Sequence, residues 1–241
     1  MRLAALALVT LTLTTACESN QERSAKLEKA AKQHEGEAAR HRALAQRALT
    51  ITRESTKVKV TATAIVHGSE GAAAVVSLRN ISGTPLRDVP VQITVRDARG
   101  ASVYTNAVAG LSPTLASVAL IPAHAALTWI DDQVQATGTP ASVSAKVGEG
   151  TAVSGAIPQL SVAGAHLSEA HAEGSLVNHS AVGQQEVVVD AVARRGGTIV
   201  AAGRAVLASA PAGTSTPFQI FFVGDPSGAQ LEVSAPASTP G

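Results

Sequence analysis

The sequence has few of the residues on which several classes of function depend. Aromatic residues make up 2% of its 241 residues, so a base-stacking platform for single-stranded nucleic acid is not expected. The formal net charge is +1 and only 15% of residues are charged, which gives no electrostatic basis for binding DNA or RNA. The single cysteine means that the fold does not depend on an internal disulfide. Hydrophobic residues nevertheless reach 45%, enough for packed cores.

Long apolar runs are also scarce, and the one that stands out is at the N-terminus. Residues 3–16 are uncharged and apolar, follow Arg2 and end directly before Cys17. The run is too short for a membrane-spanning helix, which needs about 20 residues, and it has the layout of an export signal. It resembles a bacterial lipoprotein signal, with Leu13 one place earlier than usual. That resemblance implies removal of 1–16 and lipidation of Cys17. The alternatives are an ordinary cleaved signal that leaves a free thiol and a soluble chain with an apolar N-terminus.

The composition changes after Cys17 to favour a helix. Residues 18–54 are rich in Ala, Glu, Lys, Arg, Gln and Leu, which have high helix propensity. Ser19 and Glu22 have the spacing of a capping box. Small and polar residues occupy most heptad positions, unlike a strong coiled coil. We therefore predict that 17–54 forms the lipidated Cys and a helical stalk. A weakly oligomerising helix is the alternative.

From residue 55 the pattern becomes that of β-strands. The segments 57–66 and 89–95 alternate strictly between apolar and polar residues, and similar short segments continue to residue 235. Gly, Pro and Asn turns separate them, which favours β-sandwiches. The predicted fold is mainly β, with a first immunoglobulin-like β-sandwich over 55–150 and a second over 151–236. The last residues, 237–241, are predicted to be disordered.

Two Asn-x-Ser motifs suggest that one structural unit occurs twice. Asn80 precedes the turn at Gly100 by 20 residues, and Asn178 precedes a turn at residue 197 by 19. Further along, IPAHAALTW (121–129) and APAGTSTPF (210–218) each place an aromatic residue seven positions after a proline. Because a bacterial lipoprotein is not expected to carry eukaryotic N-glycans, we interpret Asn80 and Asn178 as equivalent structural turn residues rather than glycosylation acceptors.

The order of these features resembles a known family. An alternating strand, an Asn-x-Ser turn, VPVQITVRDARG (89–100) and a later Pro-led strand are similar to the FxLYD-type immunoglobulin-like domain of prokaryotic envelope proteins. The likeness covers 57–150 and extends to 157–236, where Arg replaces the Asp of the turn. It implies an extracytoplasmic β-sandwich and no shared chemistry.

No residues form a recognisable catalytic or metal-binding pattern, so none is assigned to either role. His67-Gly68-Ser69 lacks the first glycine of a nucleophile elbow and reads better as a hairpin loop. The spacing of His166, His171 and His179 puts them on different faces or levels of strands. Asp131-Asp132 lacks the further carboxylates of a calcium loop and is interpreted as a strand-end turn. No cofactor is expected.

These features predict a non-enzymatic interaction module of the cell envelope. It would be anchored through acylated Cys17 to a bacterial membrane, facing the periplasm or the exterior. Its partners would be membrane lipid and an unidentified envelope protein or polymer, with weak homo-oligomerisation through the stalk as a further option. The alternative function is a small-molecule or glycan receptor that uses the groove between the two domains.

Overall fold

A computed structural model describes residues 48–69, 71–169 and 171–238. They belong to one compact unit, Leu44–Gly241. The signal segment, Cys17 and residues 18–47 of the predicted stalk lie outside the described residues. Residues 48–54, the end of the predicted helical stalk, are not helical, because Glu54 forms a β-bridge with Gly148 and the chain joins the sheet there. Within them, no helix is long and apolar enough to cross a membrane. The described chain is mainly β, as predicted, and contains several sheets and no α-helix.

The first half runs from β1 to β8. Its strands are β1 (Val58–Gly68), β2 (Gly71–Asn80), β3 (Leu86–Arg96), β4 (Ser102–Thr105), β5 (Ser117–Ile121), β6 (Ala126–Val134), β7 (Ser142–Val147) and β8 (Thr151–Ala152). One sheet has the order β1-β2-β6. In the other, β3 is central and pairs with β4, β5, β7 and β8.

The second half runs from β9 to β15. Its strands are β9 (Leu160–Ser168), β10 (His171–Asn178), β11 (Gln184–Arg195), β12 (Thr198–Ala210), β13 (Ser215–Phe221), β14 (Val223–Gly224) and β15 (Gln230–Ser234). One sheet has the order β13-β10-β9 and the other β14-β12-β11-β15. The pairing order of the first half is therefore repeated, with β12 in the place of β4 and β5.

The register repeats in detail. Trp129 on β6 lies opposite Val76, four residues before Asn80, and Phe218 on β13 lies opposite Gly174, four residues before Asn178. The close approach of Phe218 is possible because position 174 is glycine, where a Cβ would lie 2.7 Å from the Phe218 ring. Both halves also have a residue in the left-handed region eight residues after the asparagine, where Asp88 and Glu186 have φ of 52° and 49°.

Each half has its own apolar core between its sheets, an arrangement consistent with a β-sandwich. The core of the first half draws on β1, β2, β3, β4, β5, β6 and β7 and includes Trp129, and that of the second centres on Leu176, Phe218 and Ile220. Strand alternation explains both, because every second residue faces inward. The β3 segment from Val89 to Val95 buries alternate residues in this way.

Two sequence-based boundaries and one predicted turn require correction. The first half extends past residue 150, because β8 pairs with β3 and the Val153 N–H donates to Pro85 O at 3.0 Å. The tail is ordered at its start, since Ala237 is 5% exposed and the Ser238 N–H donates to Gln184 Oε1 at 3.0 Å. Residues 239–241 lie outside the described chain. Asp131 and Asp132 lie inside β6 rather than in a strand-end turn.

Candidate ligand groove between the two halves

The two asparagines singled out in the sequence make almost the same set of hydrogen bonds. Asn80 Nδ2 donates to the carbonyls of Thr84, Ile121 and Pro122 at 2.8, 3.3 and 3.1 Å. Its Oδ1 accepts from the Ser82 N–H at 3.0 Å and the Ser82 hydroxyl at 2.7 Å.

In the second half, Asn178 Nδ2 donates to the Val182 and Ala210 carbonyls, each at 2.9 Å. Its Oδ1 accepts from the Ser180 N–H at 3.0 Å and the Ser180 hydroxyl at 2.6 Å. Asn80 and Asn178 are both fully buried, and both tie the turn after one strand to the end of another. Neither lines the groove described next.

The two halves contact each other through the outer faces of two sheets. An apolar cluster joins Val66, Ala73, Val75 and Ile130 of the first half to Val192 and Ala202 of the second. The backbone approaches closely at Gly224, where φ is +93° and a Cβ would lie 2.7 Å from Val66 Cγ1 and 2.3 Å from Val200 O. The second half therefore docks on a face of the first that would otherwise expose apolar residues.

Beside this cluster the sheets diverge and leave a groove of about 260 Å³. Both halves contribute to its walls, and the lining mixes hydroxyl, carboxyl and aliphatic groups. The first half provides Thr61, Ser77, Leu78, Ala126, Leu127, Thr128 and Ile130, and the second provides Asp190, Val192, Glu232 and Ser234. At this volume, near the lower end of the ~300–1,000 Å³ of ligand pockets, the groove suits a compact molecule.

Strand alternation places Asp190 in this groove. Val189 and Ala191, its neighbours on β11, belong to the core of the second half, so the Asp190 side chain points the other way, toward the first half. The residue is 4% exposed. Its Oδ1 atom is buried and has no hydrogen-bond partner within the described part of the chain. A buried polar atom without a partner costs free energy, so this position requires an explanation.

A polar network beside Asp190 connects the halves. Arg204 lies opposite Asp190 on β12. Its Nε donates to Asp132 Oδ1 at 3.0 Å, and its NH1 donates to Thr114 Oγ1 at 3.0 Å. The side chains of Arg204 and Asp132 are 4% and 19% exposed. The guanidinium is thus engaged by the first half, and the network orients the two sheets that border the groove.

Asp131 lies next to this network but faces the first half. The Tyr104 hydroxyl donates to Asp131 Oδ2 at 2.7 Å, and the Gln133 N–H donates to Asp131 Oδ1 at 3.0 Å. Burial raises the pKa of Asp131, partly offset by these hydrogen bonds. Burial, followed by the charge of Asp131, raises the pKa of Tyr104. Both oxygens of Asp131 have partners, so this pair acts as internal structure.

Asp190 has an unusual protonation equilibrium. Burial raises its pKa to about 8, while the charge of Arg204 lowers it and that of Asp132 raises it. At neutral pH the carboxyl therefore holds its proton for much of the time. A group that enters the groove with a positive charge would favour the ionised form, because opposite charge favours ionisation.

Sequence reasoning missed Asp190 and Arg204. The available signal was the charged residue inside the apolar run of β11, VVVDAVA (187–193), where a solvated face would show regular polar positions. Nothing in local sequence pairs Asp190 with residues of the first half, because the contact depends on docking of the two sheets.

The candidate metal ligands of the sequence do not come together. His179 Nε2 lies 2.7 Å from Ser161 Oγ, and His171 Nε2 lies 2.6 Å from Glu173 Oε1. Across residues 48–69, 71–169 and 171–238, no three His, Cys, Asp or Glu side chains are grouped to hold a metal ion. No protein-family model matches the chain, and no curated protein matches it in sequence.

Proposed function

We propose that this protein is a lipid-anchored, extracytoplasmic, non-enzymatic binding protein of the bacterial cell envelope. Acylated Cys17 would hold it at a membrane, and residues 18–47 would form a helical stalk. The two β-rich halves would be immunoglobulin-like domains of the FxLYD type. The repeated strand pairing and the equivalent asparagine turns support a tandem of related domains.

The groove between the halves favours a small-molecule receptor as the form of binding. It has aliphatic walls for a hydrophobic body, hydroxyls that hydrogen-bond, and one buried carboxyl oxygen without a protein partner. Binding sites commonly combine an apolar lining with a few placed polar groups in this way. The orphaned Asp190 oxygen is the single observation that carries the proposal.

A fragment screen by ligand-observed NMR on the full chain tests this function. We expect fragments to bind wild type and to compete with one another for one site. Thr128→Trp, which fills the groove from the first half, should abolish their binding. Thr63→Trp on the same sheet lies outside the lining and serves as the matched control. A broad screen without a competing set of fragments would contradict the receptor function.

The edge strand β13 favours a second candidate, an interaction module for a partner protein. Phe221 at the end of β13 is 68% exposed, and its ring lies 5.7 Å from that of His171. An edge strand can accept a partner strand by backbone hydrogen bonding, and an exposed aromatic residue beside it adds specificity.

In-cell crosslinking and mass spectrometry test this candidate. A partner captured by wild type should be lost in Phe221→Ser and retained in Val206→Ser, a control that removes another exposed apolar side chain, 48% exposed. Equal capture by both variants would rule out the β13 edge. The same spectra report whether mature chains begin at acylated Cys17, and chains that keep residues 3–16 would refute the anchor.

A further inference from the structure

The groove contains an imbalance of charge that points to its ligand. Asp132 and Arg204 form a pair at 3.0 Å and compensate each other. At the margin, Glu232 Oε2 is paired with Arg194 Nε at 3.1 Å, and the Glu232 side chain is 58% exposed. Within the described part of the chain, Asp190 Oδ1 has no hydrogen-bond partner, because Arg204, which lies opposite Asp190, is engaged by Asp132 and Thr114. When ionised, Asp190 is an uncompensated buried charge, an unfavourable state unless a partner arrives.

We propose that the groove binds a small organic molecule bearing a protonated primary amine, with the ammonium donating a hydrogen bond to Asp190. This inference rests on the receptor form of the proposed function and names its ligand class. The aliphatic side chains of Ile130 and Val192, which lie on the face between the halves, contact the hydrocarbon body of the ligand. Thr128 and Ser234 present hydroxyl oxygens that accept further ammonium hydrogens.

An anion or a bare metal ion fits the same residues less well. An anion would meet the carboxyls of Asp190 and Glu232, and the guanidinium of Arg204 is already engaged by Asp132 and Thr114. A divalent ion requires several converging oxygen ligands, and calcium takes 6–8. A single buried carboxylate with hydroxyls and an aliphatic wall matches one ammonium on an apolar body.

Binding is coupled to a proton. Free Asp190 carries a proton for much of the time at pH 7, since its pKa is raised to about 8, chiefly by burial. On binding, that proton leaves to the buffer as the ammonium–carboxylate pair forms. The charged groups that face Asp190 are Arg204 on β12, Asp132 on β6 and Glu232 on β15. The first two are paired with each other and Glu232 with Arg194, so Asp190 is the group whose charge changes.

The test measures binding of cyclohexylamine and its neutral analogue cyclohexanol to the full chain in detergent micelles by titration calorimetry. A charge-assisted hydrogen bond contributes about 1.5–3 kcal/mol, so at pH 9, where Asp190 with its pKa of about 8 is mostly ionised, wild type should bind the amine at least about tenfold more tightly than the alcohol. Asp190→Asn should remove that preference and leave alcohol binding within about twofold. Glu232→Gln, the matched control at the margin, should keep the preference.

The pH dependence of wild type gives a readout that needs no variant. Ionisation of Asp190 should raise amine affinity about fivefold between pH 7 and pH 8, while an aliphatic amine stays protonated. Alcohol affinity should remain constant. The heat of amine binding at pH 7 should depend on the ionisation enthalpy of the buffer, because a proton is released.

Three results would overturn the inference: equal affinity for amine and alcohol, loss of the preference in Glu232→Gln rather than Asp190→Asn, or amine affinity that is flat with pH. If both probes bind equally and compete with screened fragments, the ligand class is wrong and the receptor function stands. If neither probe binds, the ammonium inference fails, and the fragment screen decides the receptor function separately.

Discussion

The two halves of the molecule share a strand order and an asparagine turn but differ in how much core they enclose. Among the described residues, the main cluster of the first half contains 17 buried residues, including Trp129. That of the second half contains eight, of which three are alanine. Because burial of apolar area drives folding, the second half has less stabilisation of its own. The comparison teaches that a duplicated topology does not bring equal stability, and that the second half depends on docking.

The halves also differ in the strand that follows β3 in the first half and β11 in the second. In the second half β12 is continuous, whereas in the first half it is split into β4 and β5. Buried Asn106 bridges the split. Its Oδ1 accepts from the Ile93 N–H and its Nδ2 donates to the Val91 and Leu115 carbonyls, each at 2.8 Å. The inserted segment carries Thr114 to Arg204, so the irregular half supplies part of the interface.

Truncation of two equivalent core leucines should have the largest effect on stability and should show which half is weaker. Leu78 and Leu176 each lie two residues before an asparagine and are fully buried. Each Leu→Ala change should cost about 2–5 kcal/mol. Leu78→Ala should unfold the whole unit in one transition, since the second half loses its support.

Leu176→Ala should instead cause the second half to unfold before the first. Trp129 is the only tryptophan, so its fluorescence reports the first half alone, while far-UV circular dichroism reports both. In urea, the dichroism signal should fall before the fluorescence changes. Coincident transitions in Leu176→Ala would show that the second half is not the weaker one.

Substitution at the interface tests directly whether the second half depends on its contact with the first. Gly224→Ala adds a Cβ 2.3 Å from Val200 O at a positive φ and should cost about 3–4 kcal/mol through strain and overpacking. Gly228→Ala has a φ of +66° and open space around it, so it should cost about 1 kcal/mol. Urea denaturation measures both. Similar costs would show that the contact at Gly224 is not tight in solution.

The loss of stability on substituting each asparagine should follow the number of hydrogen bonds that its side-chain amide donates. Asn80→Ala leaves three carbonyls without this donor and should cost about 3 kcal/mol, whereas Asn178→Ala leaves two and should cost about 2 kcal/mol. The controls Ser82→Ala and Ser180→Ala retain the amide and should cost less. A larger loss for Asn178→Ala would reverse the order and assign the turns different roles.

The smallest expected effect is the change in stability that Asp190, in the second half, contributes over the single pH unit from pH 7 to pH 8. Its pKa is raised above the unfolded value, so the folded state binds more protons between about pH 4 and pH 8, and stability falls as pH rises through that window. Between pH 7 and pH 8 the fall should be about 1 kcal/mol. Melting curves of wild type and Asp190→Asn isolate this contribution by difference. A parallel pair of curves would contradict the raised pKa.

Much of the fold could be predicted from the sequence, because apolar and polar residues alternate along its strands. The segments 57–66 and 89–95 fall within β1 and β3 apart from residue 57, because a half-buried strand imposes a period of two. The β2 segment GAAAVVSLRN was not assigned because it is buried on both faces: one packs in the first core and the other against the second half. Asp190 was missed for the same reason, since its environment is made by another part of the chain.

By itself, the sequence determined the β class, the positions of most strands and the equivalence in sequence of Asn80 and Asn178. These depend on local alternation and on turn chemistry, which neighbouring residues impose. Only the tertiary structure decided that the halves dock through Val75, Ile130 and Ala202, and that an orphaned carboxyl at Asp190 meets the first half across a groove. Docking buries faces that are 60 or more residues apart in the chain, and no local pattern encodes which polar atoms it leaves without a partner.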